Sequence, residues 1–444
     1  MTKIRKRAAS VLVLIALLLT GVGVYVFKYF TDGAAWASFA SNQTVYTNGV
    51  LTAGKITDRT GLVLWQGKDG HAAYNDDSMI RKATLHAVGD RWGNIGTGAV
   101  YSFKKKLTGY NPITGAYSMT GSGGKVTLSI NAELTAEAYS LLNGRKGTIA
   151  ICDCDTGEVL CMATSPSYDP DNMPDSFDSS EYDGVYINRF LSASYTPGSI
   201  FKLVTMAAAI ENIPDLFDKT YYCEGSYQVG GDVVKCTGTH GTLTAEDALA
   251  VSCNCAFAQI SLELGSDVIA EYADKYGITG SIVIDGIETA SGRFDKAESG
   301  SVDEAWSGIG QYNDLVNPAV MLRLMAAIAN GGRAPELTLT ERSHKAGTDR
   351  IMKESTAEKL GEMMNYNVYK SYGEGNYPGI EMHAKSGTAE MGLDVSPHAL
   401  FVGYGVKNGK TLAFFIIVEN GGYGSSVAGG IASQIMQSAF ELCG

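Results

Sequence analysis

The amino-acid sequence predicts an α/β (α+β) chain: an antiparallel sheet flanked by helices, carried on a small N-terminal strand-and-loop module and one membrane-crossing helix. Three observations predict it. A basic N-terminal head precedes a long uncharged apolar run. A Gly-rich stretch of short alternating segments follows. Strand signals then mark both ends of the remaining chain, with a helix-rich middle between them.

The head is Met1-Thr-Lys-Ile-Arg-Lys-Arg7, and the apolar run extends from Ala8 to Phe27 without a charge. A helix of that length, about 20 residues at 1.5 Å each, spans about 30 Å, the thickness of a bilayer core. Lys3, Arg5, Lys6 and Arg7 favour the cytoplasmic side, so the chain is expected to leave outward after Lys28. The expected division is a cytoplasmic tail over 1–7 and an anchor over 8–30. A cleaved signal peptide is the rival reading, with a small-x-small site at Ala35-Trp36-Ala37. The apolar run is longer than a usual signal core and that site lies well beyond its end, which favours an uncleaved anchor.

From Ser41 to Met119 the chain is Gly-rich, with runs such as Gly61-Leu-Val-Leu-Trp65. Thr120-Gly-Ser-Gly-Gly124 is a linker signal. It sets a short pedestal, or dimerisation-like domain, over 31–123 and a main domain over 124–444. In that domain Lys125–Asn131 alternates like a strand and Ala132–Leu142 reads as a helix. Gly147–Cys154 and Glu158–Ala163 form a hairpin about Asp155-Thr-Gly157. After the helical middle, His383–Ala389, His398–Val406 and Thr411–Val418 are strands, with a turn at Asn408-Gly409. A closing amphipathic helix covers Gly430–Leu442.

Composition limits the function. Of 444 residues, 45% are apolar and 18% charged, which suits a folded core rather than a disordered chain. The formal net charge is −12 and no basic block lies beyond the head, which argues against nucleic acid as a partner. All eight cysteines lie beyond the anchor, in what should be an oxidising compartment. Cys223 and Cys236 bracket a Gly-rich hairpin and could pair as a disulfide. Cys152, Cys154 and Cys161 read as small buried hydrophobes on strands. A C-x-C without a partner C-x-x-C or a nearby His does not match zinc spacing, so no metal site is expected, and no cofactor.

Three motifs carry chemistry. In Tyr195-Thr-Pro-Gly-Ser199-Ile-Phe-Lys202, Pro-Gly makes a turn and the helix begins at Ser199. A serine there meets free N–H groups, and a lysine three residues on shares its helical face within hydrogen-bond reach. Burial would lower the Lys202 pKa and let it act as base for Ser199. Ser252-Cys253-Asn254 fits a short loop between helices Ala245–Val251 and Cys255–Leu264. There Ser252 could relay a proton to a leaving amine, and Asn254 could bind Lys202 and a substrate amide. Lys385-Ser386-Gly387-Thr388-Ala389 lies on a strand. Lys385 would supply positive charge for a substrate carboxylate, Gly387 room for an extended substrate, and Thr388 a hydroxyl. The N–H groups of Thr388 and Ser199 could form an oxyanion hole. Taken singly, each motif has a bland reading: a helix start, a polar loop, an edge strand.

In the order S-x-x-K, S-x-N, K-[ST]-G, these segments resemble the serine acyltransferases of the β-lactamase and penicillin-binding class. The likeness to penicillin-binding transpeptidase domains runs from about Gly124 to Leu442. It takes in Ala163-Thr-Ser-Pro-Ser-Tyr-Asp-Pro-Asp-Asn172, His240-Gly241, Gly308-Ile-Gly-Gln311, Ala329-Asn-Gly-Gly332 and Val418-Glu-Asn420. Upstream, Gly54-Lys-Ile-Thr-Asp-Arg-Thr-Gly61 and Arg81–Asp90 resemble pedestal segments of class B enzymes. Ser386 stands where Thr is commoner, Cys253 fills the middle of S-x-N, and Leu400 replaces a frequent aromatic. The pedestal is also shorter than in many class B enzymes.

The resemblance implies the penicillin-binding/β-lactamase-like transpeptidase fold and a monofunctional class B D,D-transpeptidase. Ser199 would be its nucleophile, with Lys202, Ser252, Asn254 and Lys385 in the catalytic set and Ser386, Gly387 and Thr388 lining the substrate. Implied partners are peptidoglycan stem peptides ending in D-Ala–D-Ala, β-lactam antibiotics, and a SEDS-type glycosyltransferase in the membrane. A D,D-carboxypeptidase, a β-lactam sensor or β-lactamase, and a non-catalytic wall-assembly scaffold remain open at this point. No E-x-x-L-N segment between the second and third motifs supplies a class A deacylating glutamate.

Overall fold

The computed structural model describes residues 2–38, 46–47, 50–68, 71–111, 113, 123–342, 344–392 and 394–444. Part of the expected linker, residues 120–122, and the start of the Gly-rich stretch lie outside the described residues. Thr2–Ala37 is one helix. Its apolar stretch, within Thr2–Gly33, has a mean hydropathy of 2.5 and none of it is buried against the rest of the protein. By length and composition it can cross a membrane.

The main sheet has five antiparallel strands in the order Glu381–Ala389, His398–Lys407, Lys410–Val418, Gly147–Asp153 and Val159–Ser165. Both chain ends of the domain therefore share one sheet, as the strand signals imply. Alternation sorts each strand between two cores. Phe401, Phe414, Ile416, Ile149 and Ile151 face a layer made by helices Ala132–Leu142 and Gly424–Cys443. Leu400, Val402, Phe415, Ile417 and Ala150 face the opposite layer, which holds helices Lys202–Asn212, Asn254–Leu264 and Pro318–Ala329. With both faces covered, strands such as Lys410–Val418 read as near-continuous apolar runs. Cys152 and Cys161 pack into these two cores as small hydrophobes.

Two elements differ from the sequence reading. The C-terminal helix begins at Gly424 rather than Gly430. Its glycine-rich start has weak helix propensity, but the close approach to the sheet requires it. A Cβ at Gly424 would lie 2.1 Å from Gly387 O, and Gly429 packs on the Phe401 ring. The strand at Lys125 is shorter than expected, Lys125–Thr127, and pairs in parallel with Gly54–Thr57. It closes a four-stranded sheet with Val63–Lys68 and His71–Tyr74.

Ion pairs and caps tie this small sheet and its helix Ser78–Val88 to the main domain. Asp58 accepts the N–H of Thr60, of Leu62 and of Ala132 at the start of the next helix. Arg81 grips Asp169 through Nε and Nη2, both at 2.6 Å. The two upstream segments singled out in the sequence thus both bond to residues beyond 124.

Candidate active site

Ser199 sits in a single 3₁₀ turn, Gly198–Ile200, that leads into helix Lys202–Asn212. Gly198 has φ +52°, and a Cβ there would lie 2.8 Å from Thr388 O. Its N–H donates to Gly310 O at 2.8 Å. The turn is thus pressed between the Lys385 strand and the Gly308–Gln311 segment, so the glycines are needed for packing. Tyr195 fastens the other side. Its OH donates to Glu419 Oε1 at 2.8 Å, which also takes Arg189 Nε at 2.7 Å.

The second motif lies where the sequence places it, between helices Ala245–Ala250 and Asn254–Leu264. Ser252 adopts φ +55°, a left-handed conformation uncommon for a serine. That conformation lets its carbonyl and its hydroxyl meet the same ammonium. Lys202 Nζ donates to Ser252 O at 2.7 Å, Ser252 Oγ at 3.3 Å and Asn254 Oδ1 at 2.8 Å. Lys385 Nζ reaches the same Ser252 Oγ at 2.9 Å and Ser386 O at 2.8 Å. Neither lysine is exposed.

Desolvation pushes Lys202 down from its ordinary value to about 8, partly opposed by the nearby Cys253, Cys236 and Cys255 thiols. Burial, then the field of Lys202, holds Lys385 well below the usual lysine range. Two buried amines sharing one hydroxyl resist carrying a full charge together. The site therefore supplies a neutral amine near neutral pH, next to a hydroxyl that can pass a proton.

The structure departs from the sequence expectation at several residues. Lys202 spends its hydrogen bonds on Ser252 and Asn254, and Ser199 Oγ has no hydrogen bond among the described residues. Asn254 gives one side-chain N–H to Lys235 O at 3.0 Å, and its second N–H is left over for a substrate amide. The space vacated at Gly387 is filled by protein: a Cβ there would meet Ile200 Cγ2 and Pro197 O, both at 2.9 Å. The glycine admits the Ser199 turn. Lys385 is directed at Ser252 rather than at an open surface. Thr388 Oγ1 accepts the Gly424 N–H at 3.2 Å.

Sequence reasoning missed Tyr372. Its buried OH accepts the Ser386 N–H at 2.9 Å and lies 3.0 Å from Ser386 Oγ. The outward N–H of this edge strand is thus taken at 386, and alternation leaves that of Thr388 on the same edge. No local pattern marks Tyr372, because the contact joins two segments that are separate in sequence.

The Cys223–Cys236 disulfide expected from the sequence is not formed, and all eight cysteines are free thiols. Cys223 belongs to a strand that pairs with Gly241–Leu243, whereas Cys236 follows the separate hairpin of Ser226–Val229 and Asp232–Lys235. Both sulfurs turn to His240 Nδ1, at 3.4 and 3.5 Å. Cys236 Sγ also lies 3.8 Å from Cys253 Sγ. Contrary to the expectation of no metal-ligand grouping, the ligand atoms of Cys223, Cys236, His240 and Cys253 lie within 4.8 Å of one another.

Residues 147–437 match the family model described as penicillin binding protein transpeptidase domain. Peptidoglycan D,D-transpeptidase PbpA of Mycobacterium tuberculosis (strain CDC 1551 / Oshkosh) is 26% identical over 359 residues, 72% of each chain. The imipenem acyl-enzyme complex of penicillin-binding protein A from M. tuberculosis superposes with a TM-score of 0.75 at 22% identity, over 87% of this chain and 98% of that one. The D,D-transpeptidase domain of a peptidoglycan glycosyltransferase from Eggerthella lenta gives 0.74 at 23% identity, over 88% and 99%. These two structures are likenesses of fold.

Proposed function

This chain belongs to the penicillin-binding protein transpeptidase family, in its class B branch, and from that premise we propose that it cross-links peptidoglycan through an acyl-enzyme on Ser199. The activity is peptidoglycan D,D-transpeptidation by a membrane-anchored enzyme that binds β-lactams. One observation carries the assignment of roles: Ser252 Oγ is shared by Lys202 Nζ and Lys385 Nζ, and Lys202 lies one turn on from Ser199.

In this reading Ser199 Oγ attacks the carbonyl carbon of the penultimate D-Ala as neutral Lys202 takes its proton. Substrate binding must draw Ser199 Oγ into the lysine's hydrogen-bond set, a tightening common between free and occupied sites. The C–N bond to the terminal D-Ala breaks, its nitrogen receives a proton by way of Ser252 Oγ, and D-Ala leaves. An amine of a neighbouring stem then attacks the ester carbon and gives up a proton through the same groups. Ser199 Oγ departs as a hydroxyl. The N–H groups of Ser199 and Thr388 hold the oxyanion. Lys385 tunes Ser252 through its bond to Ser252 Oγ, and a substrate carboxylate binds near Ser386 and Thr388. Gly387 serves by admitting the turn.

We divide the chain into a tail over 1–7, an anchor over 8–30, a pedestal over 31–123 and a catalytic domain over 124–444. The basic head would face the cytoplasm, supported by Lys3, Arg5, Lys6 and Arg7. A SEDS-type glycosyltransferase is the membrane partner this arrangement suits.

The test is covalent labelling by a fluorescent penicillin, expected for the native chain and absent from Ser199→Ala. A folded native chain that stays unlabelled would refute the acyl-enzyme. A D-Ala–D-Ala peptide offered with an amine acceptor should yield cross-linked product. Free acid alone would mark a carboxypeptidase.

A further inference from the structure

We propose that Cys223, Cys236, His240 and Cys253 form a zinc site that clamps the Ser252 loop. The donor set is three thiolates and one imidazole nitrogen, a combination that zinc takes in closed, four-coordinate structural sites. The geometry suits it. Zn–S bonds of about 2.3 Å at tetrahedral angles put sulfurs about 3.8 Å apart, and Zn–N bonds of about 2.0 Å bring S···N to about 3.5 Å. The observed separations are 3.8 Å for Cys236–Cys253 and 3.4 and 3.5 Å for the two sulfurs on His240 Nδ1.

The surroundings are those of a bound thiolate. Asn254 N–H donates to Cys236 Sγ at 3.3 Å and Ala256 N–H to Cys253 Sγ at 3.4 Å. Such outer bonds orient ligands and stabilise their charge. Cys223 and Cys253 are buried while Cys236 and His240 are partly open, which leaves a way in for the ion. Binding would release the three thiol protons to solvent, including the one Cys223 now gives to Gly238 O. A metal also explains how a cysteine-rich cluster can stay unpaired on a domain outside the membrane.

The consequence reaches the active site through two adjacent residues. Cys253 is the middle residue of the second motif, between Ser252 and Asn254. Fixing its sulfur would hold Ser252 in its left-handed conformation and keep Asn254 Oδ1 on Lys202.

The experiment uses the full chain in detergent, purified with zinc present and without chelator. Elemental analysis should give about one zinc per chain. Cobalt exchanged for zinc should show thiolate-to-cobalt charge-transfer absorption and tetrahedral visible bands. Cys223→Ser and His240→Ala should each lose the zinc, whereas Cys255→Ser, beside the cluster, should keep it. Stripping the native chain should lower its melting midpoint and slow penicillin labelling, both restored by zinc. A folded native chain with only traces of zinc and no cobalt spectrum would overturn the site. So would a Cys236–Cys253 disulfide as its resting state. Zinc content and the cobalt spectrum of the native chain decide the matter even where a variant fails to fold. They also stand apart from the acyl-enzyme reading, since a zinc-loaded chain that ignores penicillin would refute only that.

Discussion

Lys202 and Lys385 aim their amines at one oxygen, Ser252 Oγ, from 3.3 and 2.9 Å. They arrive from different elements, a helix start and a sheet edge, and both are fully buried. A buried charge is costly, and two sharing an acceptor are costlier, so the pair favours at least one neutral amine. That is the state a general base needs.

The first prediction is the pH dependence of acylation. With Lys202 near 8, its neutral fraction falls about tenfold for each pH unit below that value. Second-order rates for a fluorescent penicillin, measured from pH 6 to 10, should rise and level near 8 in the native chain, with Lys202→Arg slow throughout. The same shift has a stability sign. Between about 8 and the ordinary 10.5 the unfolded chain binds more protons at this residue, so its contribution to stability rises with pH across that window. A rate independent of pH would remove Lys202 as base.

Ser252→Ala deletes the shared acceptor without touching Ser199. Acylation should slow by about 10²-fold, the usual worth of a positioned proton-transfer group. Stopped-flow fluorescence on protein with native circular dichroism checks this. A rate within twofold of native would rule out the relay.

Gly387→Ala places a Cβ 2.9 Å from Pro197 O and Ile200 Cγ2. Overpacking of this kind costs about 1–3 kcal/mol, and here it moves the Ser199 turn. The denaturation midpoint should fall and labelling should slow more than tenfold. Gly375→Ala, where a Cβ meets nothing within 4 Å, should change neither.

Glu419→Ala strips both Arg189 and Tyr195 of a shared partner, and Arg189 is only 5% exposed. Losing one side of a buried pair costs about 3–5 kcal/mol. Urea denaturation should register a loss near that size. Glu419→Gln, which keeps an acceptor for Tyr195, should lose less.

The chain order of the strands, the helix-rich middle and the three motifs were legible in the sequence because each is local. Ser199 and Lys202 are one helical turn apart, Ser252 and Asn254 share one loop, and the strands carry their own alternation. What was not legible arises between distant segments. Gly387 read as room for substrate because the Pro197 carbonyl that fills it comes from another part of the chain. Tyr372 carries no motif, yet it holds the Ser386 N–H and hydroxyl.

The four residues about His240 show the same division. Their positions match no standard ligand spacing, since they come from a short strand, the end of a hairpin, a loop and the second motif. By itself the sequence determined the Ser199-Ile-Phe-Lys202 motif, the family resemblance and the apolar N-terminal helix, all of which depend on neighbours along the chain. Only the tertiary structure decided which groups share a hydrogen bond, which glycine makes room for what, and that Cys223 and Cys236 turn to an imidazole. Those depend on packing between segments far apart in sequence, and no local period encodes that.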